Sequence, residues 1–354
     1  MIDPIKVLSQ LIAIPSFSTQ EDATADYLVD LLTTQGFSPE RYGNNVVARH
    51  QAAADDAPWI LFNSHHDTVR PGPTWTRHPY DPTIVDGRLY GLGSNDAGGA
   101  LVTMLCTFLA LAKHDTLPAN IMFAATAEEE ISGNDGMAML VRMGIVENIT
   151  LALVGEPTGM HPAIAERGLI VLDCTAQGVS GHAARREGSN AIYKAIDDIN
   201  WFQTYHFDRV SPTLGTVGMT VTQIEAGTQH NVVPDECRFV VDVRVTDQYT
   251  NEEVLEIITR NVAADVQPRS LRLRSSAIAA DHPLVRVFLD KGRRPYGSPT
   301  MSDQSLLPAI NKLKVGPGDS ARSHTADEWI GVDEVCEAIP LLTSIMEQYL
   351  GVQS

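Results

Sequence analysis

Cysteine is scarce in this chain, four residues among 354, and no two of them form a Cys-x-x-Cys pair. A small disulfide-stapled scaffold is therefore excluded, and Cys106, Cys174, Cys237 and Cys336 are expected to be reduced thiols of a cytoplasmic protein. Positive charge is also short: 26 Lys and Arg stand against 44 Asp and Glu, a net charge of −18. Nucleic acid and anionic membrane surfaces both call for a positive field, so neither is an expected partner. Long hydrophobic runs are missing as well. The longest, residues 97–112, is interrupted by small or hydroxyl side chains and falls below the roughly 20 residues that a membrane helix requires. It predicts a helix buried on all sides. Met1-Ile2-Asp3-Pro4 has no basic stretch and no apolar block behind it, so no signal peptide is expected.

What remains is the composition of an ordinary globular protein, 44% hydrophobic and 20% charged, at a length that suggests about two domains. The first helix has clear start signals: Asp3 as cap, Pro4 at its first position, then Ile5, Leu8, Leu11 and Ile12 on one face. A second helix is expected over 22–35, stopped by Gly36. Short β-like runs follow at 45–49, 59–63, 120–126 and 151–154, with the apolar 97–112 helix between the second and third. Such alternation predicts an α/β sheet covered on both faces. From 169 onward the pattern changes to strand, helix, strand, strand, helix, strand (169–175, 190–205, 217–224, 238–245, 252–262, 271–275). This is the βαββαβ order of a ferredoxin-like unit. The α/β rhythm then resumes through 283–289, 313–315 and 334–349. The chain thus reads as one domain formed by 1–167 and 280–354, with 168–279 inserted, and hinges at Arg167-Gly168 and near Ala279-Ala280.

Residues able to do chemistry cluster just past the ends of expected strands. His65, His66 and Asp67 follow the 59–63 run, Glu128-Glu129-Glu130 follow 120–126, and Gly155-Glu156-Pro157-Thr158 follow 151–154. Asp96 enters a helix from the loop Gly91-Leu92-Gly93-Ser94-Asn95, and His324 follows Gly316-Pro317-Gly318. Each alone is unremarkable: a His-x-Asp pair is usually coincidence, and a triple Glu is usually a solvated face. Parallel strands, however, deliver such residues to one edge of the sheet. Together they offer the nitrogen and oxygen donors that suit zinc or a related divalent ion. Five donors exceed the need of one open zinc site, whereas one bridging carboxylate with two donors on each side satisfies two ions about 3.5–4 Å apart.

The order His-x-Asp, Gly-rich Asp loop, Glu-Glu, Gly-Glu-Pro-Thr, inserted βαββαβ unit and late His resembles the zinc aminoacylase/carboxypeptidase family along essentially the whole chain. The resemblance implies a zinc-exopeptidase-like catalytic domain, a mixed sheet flanked by helices, with the inserted ferredoxin-like unit serving as lid and dimerisation domain. It implies two divalent ions per chain, Zn²⁺ with Co²⁺ as a substitute. His65 and Glu156 would hold the first ion, Glu130 and His324 the second, with Asp96 bridging. Asp67 would orient His65, and Glu129 would be the general base. His182, in Val179-Ser180-Gly181-His182-Ala183, would reach the partner's site across a homodimer formed through the inserted domain. Asn231 and Arg244 match substrate contacts of the family.

Within the family the chain is most similar to bacterial acetylornithine deacetylases, including variants that act on N-succinylornithine or acetylcitrulline. The expected function is metal-dependent removal of the acyl group from a small acylated amino acid, in arginine biosynthesis. Dipeptidase or tripeptidase activity and succinyl-diaminopimelate desuccinylation are the alternatives within the family. The hinge turn Glu166-Arg167-Gly168 lacks the Arg-Arg-Gly of the desuccinylases and weighs against that branch. A non-catalytic ligand-binding relative is the alternative outside it. Arg322 and Arg244 could clamp a substrate carboxylate, with intramolecular salt bridges as the competing reading.

Overall fold

The computed structural model describes residues 2–52, 57–114, 116–185 and 187–352. The chain divides into two compact units, one formed by Met1–Ile164, Ala277–Tyr296 and Ser302–Ser354, the other by Ala165–Ser276 and Gly297–Met301. Both crossings between units fall a few residues earlier than the expected hinges, and the short return at 297–301 has no sequence signal.

In the first unit, helix α1 (Pro4–Ala13) begins where Asp3 Oδ1 accepts the Ile5 and Lys6 N–H groups at 3.0 and 3.1 Å. These are two of the donors that a helix start leaves without partners. Helix α2 (Asp22–Thr34) ends before Gly36, as expected. The main strands are β1 (Asn45–His50), β2 (Trp59–His65), β3 (Asn120–Thr126), β4 (Ile149–Gly155) and β5 (Asn311–Lys314). Their spatial order is β1-β3-β2-β4-β5. The last four run parallel, and β1 is antiparallel to β3. The sheet is therefore mixed, and its parallel strands all end at one edge.

Alternation sends side chains to opposite faces of each strand, and both faces are covered here. Ile60, Phe62, Ile121 and Phe123 pack into one core together with α1, helix α3 (Gly99–Leu111) and helix α4 (Val332–Leu350). Leu61, Met122 and Ala124 pack into another with Met137, Leu140 and Val146. This explains why the strands read as continuous apolar runs. The window Ser94–Leu111 is long and apolar enough to cross a membrane by length and composition, yet 83% of it is buried inside the fold. That is the position of a core helix.

The second unit is an antiparallel sheet ordered Gly218–Ala226, Glu236–Val245, Gly168–Gln177, Asp265–Pro268. Helices Ala191–Thr204 and Asn251–Asn261 complete the βαββαβ order. Ile170, Leu172, Cys174, Phe202, Phe239, Val241 and Ile258 form its core. The last strand lies at 265–268, and not at the expected 271–275. The alternating Leu271-Arg272-Leu273-Arg274 looks like a strand, but the Leu271 and Leu273 carbonyls accept from the Asn251 side chain. Asp265–Pro268 is an edge strand, where proline is tolerated.

Candidate metal centre

The shared edge of the parallel strands collects the donors. His65 is the last residue of β2, and Glu128–Glu130 and Glu156 directly follow β3 and β4. Asp96 arrives from the turn at Gly93, whose φ of +76° is costly for any residue with a Cβ; a Cβ there would also lie 2.7 Å from Thr68 Cγ2. The loop carrying His324 is fixed by Asn95, which accepts from the Asp319 N–H and donates to the Asp319 carbonyl, both at 3.0 Å.

The donors form two sets with one member in common. Ligand atoms of His65, Asp96 and Glu156 lie within 4.8 Å of one another, and so do those of Asp96, Glu130 and His324. Asp96 presents Oδ1 to His65 Nε2 at 3.4 Å and Oδ2 to His324 Nε2 at 3.6 Å. One carboxylate thus faces both sets with different oxygens. His324 Nε2 also lies 2.8 Å from Glu130 Oε2.

Asp67 holds the arrangement from behind. Its main-chain oxygen lies 3.0 Å from His65 Nδ1, nearer than its carboxylate at 3.4 Å, so Nδ1–H donates there, and in the neutral ring Nε2 is the nitrogen with a lone pair for the site. The Asp67 carboxylate accepts the Glu129 N–H at 3.0 Å, the Glu130 N–H at 3.2 Å and the Ser18 hydroxyl at 2.7 Å. It therefore sets the backbone of the Glu-Glu loop as well as facing the histidine. His66 turns away from the site: Nε2 donates to the Asn44 carbonyl at 2.9 Å, and Nδ1 meets the Thr24 hydroxyl at 2.8 Å.

Electrostatically the site has too many carboxylates for its cations. Burial pushes the Glu129 carboxyl well above its usual range, with Glu156, Asp303 and Glu130 adding repulsion. Burial likewise raises Glu156 to about 8. His65 is lowered by burial, but Asp67, Asp96 and Glu129 outweigh this and hold it well above 6.5. His324, hydrogen-bonded to Glu130, rises to about 9. Neighbouring carboxylates of this kind draw in positive charge, either as protons or as metal cations. With its nitrogen and oxygen donors, the set fits divalent ions of the zinc type.

Two further carboxylates belong to this neighbourhood and had no sequence signal. Glu328, 2% exposed, accepts the Asn95 and Asp96 N–H groups with Oε1 at 2.8 and 2.9 Å, and the Gly93 N–H with Oε2 at 3.2 Å. Asp303 accepts the Thr126 hydroxyl at 2.6 Å, and burial raises it to about 6. Glu128 accepts the Asp135 N–H with its own carboxylate, whereas the Glu129 carboxyl interacts with His65, Glu156 and Glu130.

The remaining residues singled out by the sequence belong to neither donor set. Arg322 grips Glu334 with both terminal nitrogens, at 2.6 and 3.3 Å, and stacks over Trp329. In the second unit, Arg244 pairs with Asp242 through two bonds, at 2.7 and 2.9 Å. Both guanidinium forks are thus engaged in intramolecular salt bridges. His182 and Asn231 come together in the second unit, where Gly181–His182 pairs with Val232–Val233 and the Ala183 N–H donates to the Asn231 carbonyl. His182 is exposed.

Residues 61–348 match Peptidase family M20/M25/M40. The chain belongs to this family. Solved structures repeat its fold end to end. Aminopeptidase PepT from Bacillus cereus is 21% identical, with 98% of each chain covered and a TM-score of 0.77. The metallo-carboxypeptidase Sso-CP2 from Sulfolobus solfataricus is 18% identical over 99% of this chain and all of the other, at 0.76. YXEP from Bacillus subtilis, described as a dinuclear metal binding peptidase, is 15% identical over 99% and 98%, at 0.75. At these identities the likeness establishes the fold, and membership of the family establishes hydrolysis as its general chemistry.

His66 gives a prediction for the metal-free chain. Burial lowers its pKa from 6.5 to about 4, so the unfolded chain binds the proton first as pH falls. The stability from the neutral ring is complete above pH ~6.5 and is lost as pH drops from there towards 4. Between pH 7 and 5 the loss is about 2 kcal/mol. In denaturant unfolding with a chelator present, the stability of the wild-type chain relative to His66→Gln should fall by that amount between pH 7 and 5, the opposite contributions of the raised carboxyls being common to both.

Proposed function

We propose that the chain is a two-metal amidohydrolase that removes the acyl group from a small N-acyl amino acid, with N-acetylornithine the first candidate and N-succinylornithine and acetylcitrulline next. The observation that carries the two-metal hydrolase is the sharing of Asp96 between two donor sets with Glu129 beside them; the choice of an acyl amino acid rests on the sequence resemblance. His65 and Glu156 would hold one ion, Glu130 and His324 the other, and Asp96 both. Zn²⁺ suits the donors, and Co²⁺ could replace it. Bound there, the ions supply Lewis acidity, polarising the amide carbonyl and bringing the pKa of water down towards ~7. Glu129 takes the proton of the attacking water and hands it to the leaving amine, the work of a general base that becomes a general acid. Asp67 keeps His65 in the tautomer that leaves Nε2 free.

Peptide cleavage is the second reading, favoured by the aminopeptidase and carboxypeptidase among the structural relatives. The test is turnover of N-acetyl- and N-succinyl-ornithine and -citrulline, against a panel of di- and tripeptides, with Zn²⁺ or Co²⁺ added. Acyl amino acids cleaved at least tenfold faster support the deacylase; the reverse order makes the chain a peptidase. Binding of metal without turnover of either class leaves a ligand-binding relative.

The deacylase reading carries a homodimer paired through the second unit, with His182 of each chain serving the partner's site, and a cytoplasmic setting in arginine biosynthesis. Mixing inactive Glu129→Gln with inactive His182→Ala chains should then restore about a quarter of wild-type activity, because half the dimers are mixed and each has one complete site. Mixtures that exchange subunits and stay inactive place His182 outside the partner's site.

A further inference from the structure

The Asp96 loop is held by a residue more than two hundred positions away. Glu328 is almost fully buried, and burying a carboxylate is costly unless its oxygens are satisfied. Its partners are main-chain N–H groups: Gly93 on one oxygen, Asn95 and Asp96 on the other. Its own carbonyl accepts the Gly91 N–H at 2.9 Å, so four main-chain N–H groups between 91 and 96 end on this one residue. The next residues, Trp329–Gly331, pair with Arg88–Tyr90, and the preceding Asp327 carboxylate caps the Thr76 and Arg77 N–H groups at 2.9 Å. Glu328 therefore sits in a segment pinned on both sides, and His324 lies only four residues earlier.

We infer that Glu328 is a positioning residue: it fixes the backbone of the shared ligand Asp96 and locks it in register with His324, so that two loops distant in sequence present one pair of metal sites. An apolar residue of similar size would fill the space at less cost. What it could not do is aim three N–H groups at one point and so set the angle at which Asp96 leaves the chain. Glutamine would keep the acceptor for Asn95 and Asp96 but turn an NH₂ group against the Gly93 N–H.

The inference rests on the two-ion reading above, and Co²⁺ titration separates the two. Wild-type apoprotein titrated with Co²⁺ is followed by calorimetry and by visible absorption, which reports coordination geometry. Glu328→Gln should bind at least tenfold more weakly and show an altered spectrum. Asp198→Asn removes a buried carboxylate that caps the Ala263 and Ala264 N–H groups in the second unit. It should lower stability and leave both Co²⁺ readings unchanged. Wild-type affinity and spectrum in Glu328→Gln would overturn the positioning role. A wild-type chain that binds no Co²⁺ would overturn the metal reading instead. If Glu328→Gln does not fold, Glu328→Asp, too short to reach all three N–H groups, is judged by the same two outcomes.

Discussion

Glu129→Gln should fold, bind its ions with wild-type affinity and lose ~10²–10⁴ in turnover, the usual worth of a placed base. The change is nearly isosteric, and the Glu129 main-chain N–H still reaches Asp67 Oδ1. Glu129 stands outside both donor sets, so the side chain lost is not one that holds a cation. Replacing a carboxyl that burial and three acidic neighbours push upward also relieves repulsion, and stability in the apoprotein should rise or stay level. Metal analysis alongside kcat is the deciding pair of measurements. A fall in metal content together with kcat would exchange the roles of Glu129 and Glu130.

Asp96→Ala should have the broadest effect of any single ligand change, emptying both sites at once. The other four donors serve one set each, so His65→Ala and Glu156→Ala should spare the Glu130–His324 side, and Glu130→Ala and His324→Ala the other. Asp96 alone faces both histidines, at 3.4 and 3.6 Å with different oxygens. Its loss also leaves His324 and Glu130 paired with each other, a hydrogen bond that competes with a cation for both groups. Metal content per chain, measured after dialysis against Zn²⁺, should fall to near zero for Asp96→Ala and to about half for each of the four others. Equal losses in all five variants would mean that the sites do not bind independently enough for this assignment.

Much of this centre could be read from the sequence because its parts carry local signals. His65, Glu130 and Glu156 each follow a compact apolar run, and parallel strands make those run ends neighbours. The Asp3 cap and the stop at Gly36 are local in the same way. Glu328 and Asp303 were not legible, and the reason is physical. Their partners are the Asp96 loop and Thr126, more than 170 residues away, and nothing beside them in sequence marks them as buried. Ala326-Asp327-Glu328 reads as a solvated acidic turn. The final strand of the second unit was missed for the opposite reason: 271–275 has an alternating pattern, but its Leu271 and Leu273 carbonyls both accept from the Asn251 side chain, while Pro268 disguises the true edge strand.

The adjacent imidazoles of His65 and His66 turn the alignment of β2 into a chemical variable. His65 is paired with Thr126 in β3, at the last position of β2, and His66 begins the turn beyond it. Deleting any one residue between Trp59 and Ser64 would bring His66 to the place paired with Thr126 and send His65 back into the strand. Where the deletion falls before them, Leu61 and Phe62, now in separate cores, would shift by one place along with them. The chain would still offer an imidazole at the edge, but Asp67, whose carboxylate holds the Glu129 and Glu130 N–H groups, would stand next to that imidazole and not two residues on. Substitutions can accumulate in this strand as long as volume is kept, whereas a change in its length by a single residue cannot, because counting along the strand decides which histidine the site receives.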